Sequence, residues 1–301
     1  MNRNGKTKHN QVTFQHEAMT GFLSVIIPVY HDTWGLERTL RALRKSSLKP
    51  QAYEIIVAND GGATEITAIC DKYRAKCIDI IPQGGSYTAR DKALELSRGE
   101  YIAFTDADVL PDPNWLKEGL HQLQECDYVG GKTVIDERLI RTLADDYEFA
   151  TAFAVNDRHE LQAQTVNVMV RRSVIEEVGG FDRRLFSGGD MGFGSRVCRN
   201  RKHRRRYCDR LLVVHPPRGH KAMLKKFRRV GKGIYMLCQY YPARFRMEHP
   251  VLDMMQELRF SRIREIVRKM THTHKYGLLR YPYVLYMVFY SRVCLIVKWR
   301  I

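Results

Sequence analysis

The feature that most restricts the fold of this chain is a regular exchange, over its first hundred residues, of short apolar runs with helix-patterned segments. Residues 22–30 read Phe-Leu-Ser-Val-Ile-Ile-Pro-Val-Tyr, a nearly continuous apolar run that suits a strand covered on both faces of a parallel sheet. Leu36, Leu40 and Leu43 then recur at helical spacing between Trp34 and about Lys45, and a second apolar run, Tyr53 to Ala58, ends in Asn59-Asp60-Gly61-Gly62. The same pattern predicts a helix over 64–74, a strand over 78–81, a helix over 88–97, and a strand over 101–105 that runs directly into Asp106-Ala107-Asp108. Strands alternating with helices imply βαβ units with right-handed crossovers and a mostly parallel sheet. Ligands of such sheets bind at the carboxyl ends of the strands, where both Asp60 and the acidic turn fall.

Beyond Asp112 the alternation loosens. A helix is expected near 115–125, a strand near 128–134, a helix near 136–155, a strand over 166–171 and another over 211–215. A loop runs from Gly179-Gly180-Phe181-Asp182 to Gly188-Gly189-Asp190. After about Arg218 the chain reads as basic and aromatic helices, broken near Pro242 and Pro250. The expected organisation is a flexible tail over 1–20, an α/β domain over 21–220 and a helical extension over 221–301.

Asp106 and Asp108 stand two apart at the end of a buried strand. Hard oxygen ligands brought together in this way hold Mg²⁺ or Mn²⁺ on a substrate diphosphate, where the metal offsets charge on the leaving group. An isolated Asp-x-Asp is weak evidence, because acidic turns are common. Its position among other ordered motifs carries more.

Charge adds a second constraint. The net charge is +17, and between Arg196 and Lys232 fifteen Lys or Arg face the single acid Asp209, so that an excess of fourteen lies in one stretch. Such a patch attracts polyanions: phosphate-bearing substrates, an anionic membrane or nucleic acid. Arg218, Lys221, Lys225 and Lys226 are candidates to close over a diphosphate or to bind an anionic acceptor; more often such a run is a solvated helix face. Seven cysteines without any Cys-x-x-Cys pair suit a reducing compartment and neither a disulfide framework nor a zinc ribbon. Met1 to His16 has no apolar core for a signal peptide, so a cytoplasmic location is expected. The stretch from Tyr281 to Val297 is apolar but carries Pro282 and Arg292 and is too short to span a bilayer. Two readings stay open for it. It is an interfacial helix on the inner face of an anionic membrane, with Tyr281, Tyr283, Tyr286, Phe289 and Tyr290 at headgroup level and Lys298 and Arg300 snorkelling; or it docks on the protein's own core.

Five segments in order, residues 24–30 (Ser-Val-Ile-Ile-Pro-Val-Tyr), Asn59-Asp60-Gly61-Gly62, Ala89-Arg90-Asp91, Asp106-Ala107-Asp108, and Gly179-Gly180-Phe181-Asp182 leading to Gly189-Asp190, resemble the family 2 glycosyltransferases of GT-A fold over about residues 22–220. The resemblance implies a nucleotide-diphospho-sugar transferase fold, a Rossmann-like sheet flanked by helices. It implies that Pro28, Tyr30 and Asp60 line the nucleotide pocket. A carboxylate at Asp60 can pair with an imide N–H and so favours uracil or thymine, hence a UDP- or dTDP-linked donor; the other reading is that Asp60 only stabilises its own Asp-Gly turn. Arg90 would face the diphosphate, Asp106 the ribose or metal, and Asp108 the divalent metal, Mn²⁺ or Mg²⁺. Relatives often place another Asp after this pair, where this chain has Val109. Asp190 would be the catalytic base of an inverting, non-processive transfer to an acceptor hydroxyl. Relatives usually have Glu-Asp there, whereas this chain has Gly189-Asp190. His215, at the end of an apolar strand, is a candidate further metal ligand, and His220 a weaker one. A nucleotidyltransferase is the nearest enzymatic alternative, but no Gly-rich basic loop occurs between Val29 and Leu40. A polyanion or nucleic-acid binder is the non-enzymatic alternative; it leaves the five ordered motifs unexplained, and no specific nucleic acid is expected as a partner.

Overall fold

A computed structural model describes residues 7–153, 164–247 and 249–297. In chain order its elements begin with β1 (Met19–Val29), α1 (Thr33–Leu43), β2 (Tyr53–Asp60), α2 (Thr64–Lys72), β3 (Lys76–Ile80), α3 (Gly85–Glu95), β4 (Gly99–Thr105) and β5 (Leu110–Pro111). There follow α4 (Trp115–Glu125), β6 (Tyr128–Ile135), α5 (Leu143–Thr151), β7 (Asn167–Arg171), α6 (Arg172–Val178), α7 (Gly189–Arg199) and β8 (Arg205–His215). The last helices are α8 (His220–Tyr240), α9 (Pro250–Glu257), α10 (Phe260–Lys269) and α11 (Arg280–Ile296). These fall into two compact units. The first comprises Met1–Thr133, Val155–Arg184 and Gly189–His215, the second Val134–Ala154, Leu185–Gly188 and Pro216–Ile301.

In the first unit the described strands form one sheet in the order β3-β2-β1-β4-β7-β6-β8-β5. Parallel pairing holds where the sequence alternates strictly, β1 lying between β2 and β4 and β2 beside β3. Past β4 the alternation stops and the sheet turns antiparallel, β7 pairing with β4 and with β6, and β5 with β8. The apolar run of β1 is buried from Leu23 to Ile27, as a strand covered on both faces requires. Asp32 opens α1 by accepting from the Gly35 amide at 2.8 Å, and Leu36, Leu40 and Leu43 then face the sheet, buried. Asn167 ties three strands of the antiparallel half together: its amide donates to the carbonyls of Lys132 and Leu211, and its Oδ1 accepts from the Trp115 indole, each at 2.8 Å.

The expected tail over 1–20 is held from Thr7 onward; residues 1–6 lie outside the described residues. Asn10 is fully buried and its carbonyl accepts from the Gly180 amide. The Arg172 guanidinium donates to the His16 carbonyl and lies 3.9 Å over the Phe14 ring. A polar stretch without periodicity carries no sign of such anchoring, because its partners lie more than 150 positions away.

The second unit is helical. Its core joins Tyr147 and Ala150 of α5 with Met223, Ile263, Ile266, Val267, Met270, Val284, Met287 and Val288. The expected boundary between 220 and 221 therefore does not divide the chain into its compact parts, since Val134–Ala154 and Leu185–Gly188 group with Pro216–Ile301. The helix expected over 136–155 is shorter: Thr142 and Asp145 form a capping box that starts α5 at Leu143, and Val155 lies outside the described residues. On α11, Val284, Met287, Val288 and Cys294 are buried, while Leu285, Tyr286 and Phe289 are 47%, 44% and 49% exposed. One face of the helix thus docks on its own unit and an apolar, partly aromatic face stays open. Lys298 and Arg300 lie outside the described residues, and among the described residues no helix is long and apolar enough to cross a membrane.

Candidate active site

Because β1, β2 and β4 run parallel, the segments that follow them emerge at one edge of the sheet. Tyr30, just after β1, is 53% exposed, and its ring centroid lies 4.3 Å from that of His31. Pro28 sits half-buried within β1 opposite Ala58. Gly61 has φ 109°, and a Cβ there would meet the Tyr30 ring at 3.2 Å, so glycine keeps this corner open. Asp60 is 4% exposed and accepts from the Gly84 and Gly85 amides at 2.7 and 3.0 Å. It therefore fastens the entry of α3 rather than only its own Asp-Gly turn. Each carboxylate oxygen keeps a second lone pair, so this bond leaves acceptor capacity for an imide N–H.

The acidic turn after β4 is braced from α1. The buried Thr39 hydroxyl lies 2.8 Å from the Ala107 carbonyl and 2.6 Å from that of Val109, so one hydroxyl grips the backbone on either side of Asp108. Ala107 and Val109 point inward, buried, and leave Asp106 and Asp108 partly exposed. Arg90 Nη2 reaches Asp106 Oδ1 at 2.5 Å, and the Arg90 side chain is only 4% exposed. Its Nε is buried without a hydrogen-bond partner, a cost that a bound anion would relieve. On the other side, His215 Nε2 lies 3.4 Å from Asp108 Oδ2. The two-residue strand β5 brings them together: Leu110 pairs with Val214 and Pro111 with Val213, so an antiparallel register carries the end of β8 past the acidic turn. Among the described residues no three His, Cys, Asp or Glu side chains gather closely enough to hold a metal by themselves. Asp108 and His215 could supply one oxygen and one imidazole donor to a divalent metal, with the remainder of its shell left to phosphate oxygens and water.

Gly189 is buried and begins α7, so Gly188-Gly189-Asp190 is a helix entry rather than a surface turn. A carboxylate in the first turn is favoured by the helix dipole. The Asp190 carboxylate accepts from the Met191 amide at 3.0 Å and from the Tyr87 hydroxyl at 3.5 Å. Burial raises its pKa above the ordinary carboxylate range, against the Met191 amide and the Arg90 charge, which lower it, while Asp106 adds to the rise. Beyond burial and the amides of its own helix, the charges that act on its proton affinity are Arg90 on α3 and Asp106 in the acidic turn.

The profile of Glycosyl transferase family 2 matches residues 24–179. Glycosyltransferase AglE of Haloferax volcanii is 31% identical over 221 residues, spanning 70% of this chain and 72% of its own. The chain belongs to glycosyltransferase family 2. Among solved structures, the mannosyltransferase PcManGT from Pyrobaculum calidifontis, in complex with GDP-Man and Mn²⁺, superposes with a TM-score of 0.58 at 14% identity, covering 91% of this chain and 86% of its own. Staphylococcus aureus TarS 1-349 in complex with UDP-GlcNAc gives 0.54 at 16% identity, covering 91% and 90%. The fold is GT-A, and the protein is a glycosyltransferase rather than a nucleotidyltransferase.

Several residues that assemble this family 2 site receive no role from the sequence. Asp91, beside Arg90 on α3, is fully buried and accepts from the Phe181 amide at 2.9 Å and from Arg183 Nε at 3.0 Å. It thereby ties the Ala89-Arg90-Asp91 segment to the Gly179-Gly180-Phe181-Asp182 segment. Burial pushes its carboxyl up to about 7, against the Phe181 amide and Arg183, which pull it down. Arg196 belongs to the basic run but is buried, donating to the carbonyls of Val178, Gly180 and Gly192. Thr39 and Tyr87 likewise reach the site only through the fold. In the second unit, Arg218 and Lys226, for which the sequence leaves open closing over a diphosphate, binding an anionic acceptor or a solvated helix face, hold the fully buried Glu148 at 2.7 and 3.0 Å, while Lys221 and Lys225 are exposed. His220 pairs with the Tyr283 hydroxyl at 2.9 Å.

Proposed function

We propose that this enzyme transfers a sugar from a nucleotide diphosphate sugar to an acceptor hydroxyl with inversion, one sugar at a time. The observation that carries the reading is the gathering of Asp190, Arg90 and Asp106 about Tyr87: its hydroxyl lies 3.5 Å from Asp190 Oδ1, and the Arg90 guanidinium, 5.9 Å from its ring centroid, pairs with Asp106. A partly buried carboxylate, a guanidinium with an unsatisfied N–H and an acidic turn at the carboxyl end of β4 supply what displacement at an anomeric carbon requires. Asp190 takes the proton of the acceptor hydroxyl as its oxygen attacks that carbon. The bond from the anomeric carbon to the diphosphate oxygen breaks, and Arg90 receives the charge that appears on the diphosphate.

Tyr30 offers an open aromatic face to the base, with Pro28 behind it in β1. Asp60 accepts from its imide, which favours UDP- or dTDP-linked donors. Asp108 and His215, with Asp106 beside them, would hold a divalent metal, Mn²⁺ or Mg²⁺. Bound there, the ion neutralises charge on the leaving diphosphate. Mn²⁺ suits the mixed oxygen and nitrogen set better than Mg²⁺. We further infer a peripheral contact with the cytoplasmic face of an anionic membrane, supported by the open face of α11 and by the exposed Phe260, Leu278 and Leu279 on a unit that also carries Arg264, Arg268 and Lys269.

Calorimetric titration with UDP-glucose, UDP-GlcNAc, dTDP-glucose and GDP-mannose, each with Mn²⁺, with Mg²⁺ and with a chelator, tests the donor and the metal together. Tight binding of a uridine or thymidine donor that weakens with the chelator is expected. Asp190→Asn should bind the same donor within about twofold and lose transfer by roughly 10²- to 10⁴-fold. Wild-type release of nucleoside diphosphate by that variant would remove Asp190 from the mechanism.

A further inference from the structure

Tyr87 is not among the residues that the five segments single out, yet it meets the Gly189-Asp190 helix entry in two ways, its ring against Gly189 and its hydroxyl against the Asp190 carboxylate. Its ring is 8% exposed and lies stacked on Phe181, centroids 5.5 Å apart. Phe181 is packed in turn against Phe104 and Phe193, each at 5.2 Å. The Tyr87 ring therefore has no freedom to swing away. A Cβ on Gly189 would lie 2.7 Å from two of its carbons and 2.8 Å from a third, well inside van der Waals contact. The ring occupies the space that any side chain at 189 would need.

The hydroxyl faces the first turn of α7, where backbone amides have no partner within the helix. It lies 3.5 Å from Asp190 Oδ1 and donates to it, because an ionised carboxylate can only accept. The groups that act on the Asp190 carboxylate are Tyr87, Arg90, Asp106 and the backbone amides of Met191 and of Asp190 itself. Among the side chains of the described residues, Tyr87 is the one with a hydrogen bond to it. A carboxylate that must accept a proton and pass it on needs a fixed direction, and a rigid phenol supplies one without adding charge.

We propose that Tyr87 is the positioning residue of Asp190, its ring taking the place of a side chain at Gly189 and its hydroxyl orienting the carboxylate. The proposal rests on the reading of Asp190 as the base. A hydrogen bond donated to the ionised form stabilises that form, so removing it raises the pKa of the acid. In Tyr87→Phe, which keeps the ring, the Asp190 resonance in protein labelled with carboxyl-¹³C aspartate should titrate about half a unit to one unit higher than in the native enzyme. The resonance is assigned by its loss in Asp190→Asn. Gly189→Ala should lower the melting temperature by several degrees in the native background, and by less than half as much in a Tyr87→Ser background, where the obstructing ring is gone.

An unmoved titration in Tyr87→Phe would overturn the role of the hydroxyl, and equal losses of melting temperature in both backgrounds would overturn the role of the ring. Neither measurement requires turnover. A failure of the base assignment would show instead as retained transfer by Asp190→Asn, with the titration and the thermal cycle intact.

Discussion

The strand-end site of the first unit and the ion cluster of the second bury charge in opposite ways. Glu148 is fully buried and accepts from the Arg218 amide, the Arg218 guanidinium and the Lys226 ammonium. Burial alone would raise its pKa, but Lys226 and Arg218 outweigh burial and hold it below the ordinary value. Asp146, equally buried, accepts from the His272 and Thr273 amides and the Thr273 hydroxyl. In the first unit, Arg90 keeps an unpaired Nε and Asp190 keeps a raised pKa. Glu148 and Asp146 are each met by three or more donors, because an unpaired buried charge costs several kcal/mol. At the strand-end site, on the function proposed above, the N–H that Arg90 leaves unsatisfied is one that a substrate anion would meet.

This contrast is open to direct attack. Glu148→Ala strands Arg218 and Lys226 without their shared carboxylate, so urea denaturation should give a loss of about 3–5 kcal/mol. A loss below about 1 kcal/mol would place the cluster among ordinary surface pairs. Arg90→Ala should leave folding within about 1 kcal/mol of native, since its bonding is incomplete already, while donor affinity by calorimetry falls by roughly 10- to 100-fold. The reverse outcome, an unfolded protein or an unchanged affinity, would make Arg90 structural. Thr39→Val keeps the shape and removes the hydroxyl that braces the acidic turn; a stability loss of about 1–2 kcal/mol is expected, with weaker Mn²⁺ dependence of donor binding.

A further signal should come from pH. Asp91 has a folded pKa of about 7, above its unfolded value of 3.8. Between those values the native state holds a proton that the unfolded chain releases, so stability rises as pH falls from about 7 towards 4. Glu148 has the opposite sign, its contribution being present above 4.5 and lost as pH falls through its lowered folded pKa. Urea midpoints of the native protein should therefore increase from pH 7.5 to 5 and then decline. In Asp91→Asn the initial increase should vanish, and its persistence there would assign it to another group.

Much of the first half of the molecule was legible because the information is local. The helix expected from Trp34 runs from Thr33, since leucine spacing and the Asp32 cap act within one turn of each other. The acidic turn and Asp60 lie at strand ends as expected, because parallel strands that alternate with helices must all point one way. The antiparallel half was less legible. Residues 205–210 (Arg-Arg-Tyr-Cys-Asp-Arg) extend β8 upstream of the apolar run at 211–215, yet four charged positions among the six mask the strand.

What the sequence determined by itself was the order and type of the early elements, the family, and the set of carboxylates at the strand ends, since periodicity and motif order are written along the chain. The tertiary structure alone decided which of those groups meet. A two-residue strand set His215 beside Asp108, a threonine from α1 gripped the acidic turn, a tyrosine filled the space above Gly189, and two cations of the basic run turned to a buried glutamate. Each of these contacts joins residues 60 or more positions apart, and their geometry depends on sheet register and core packing, which no local pattern encodes.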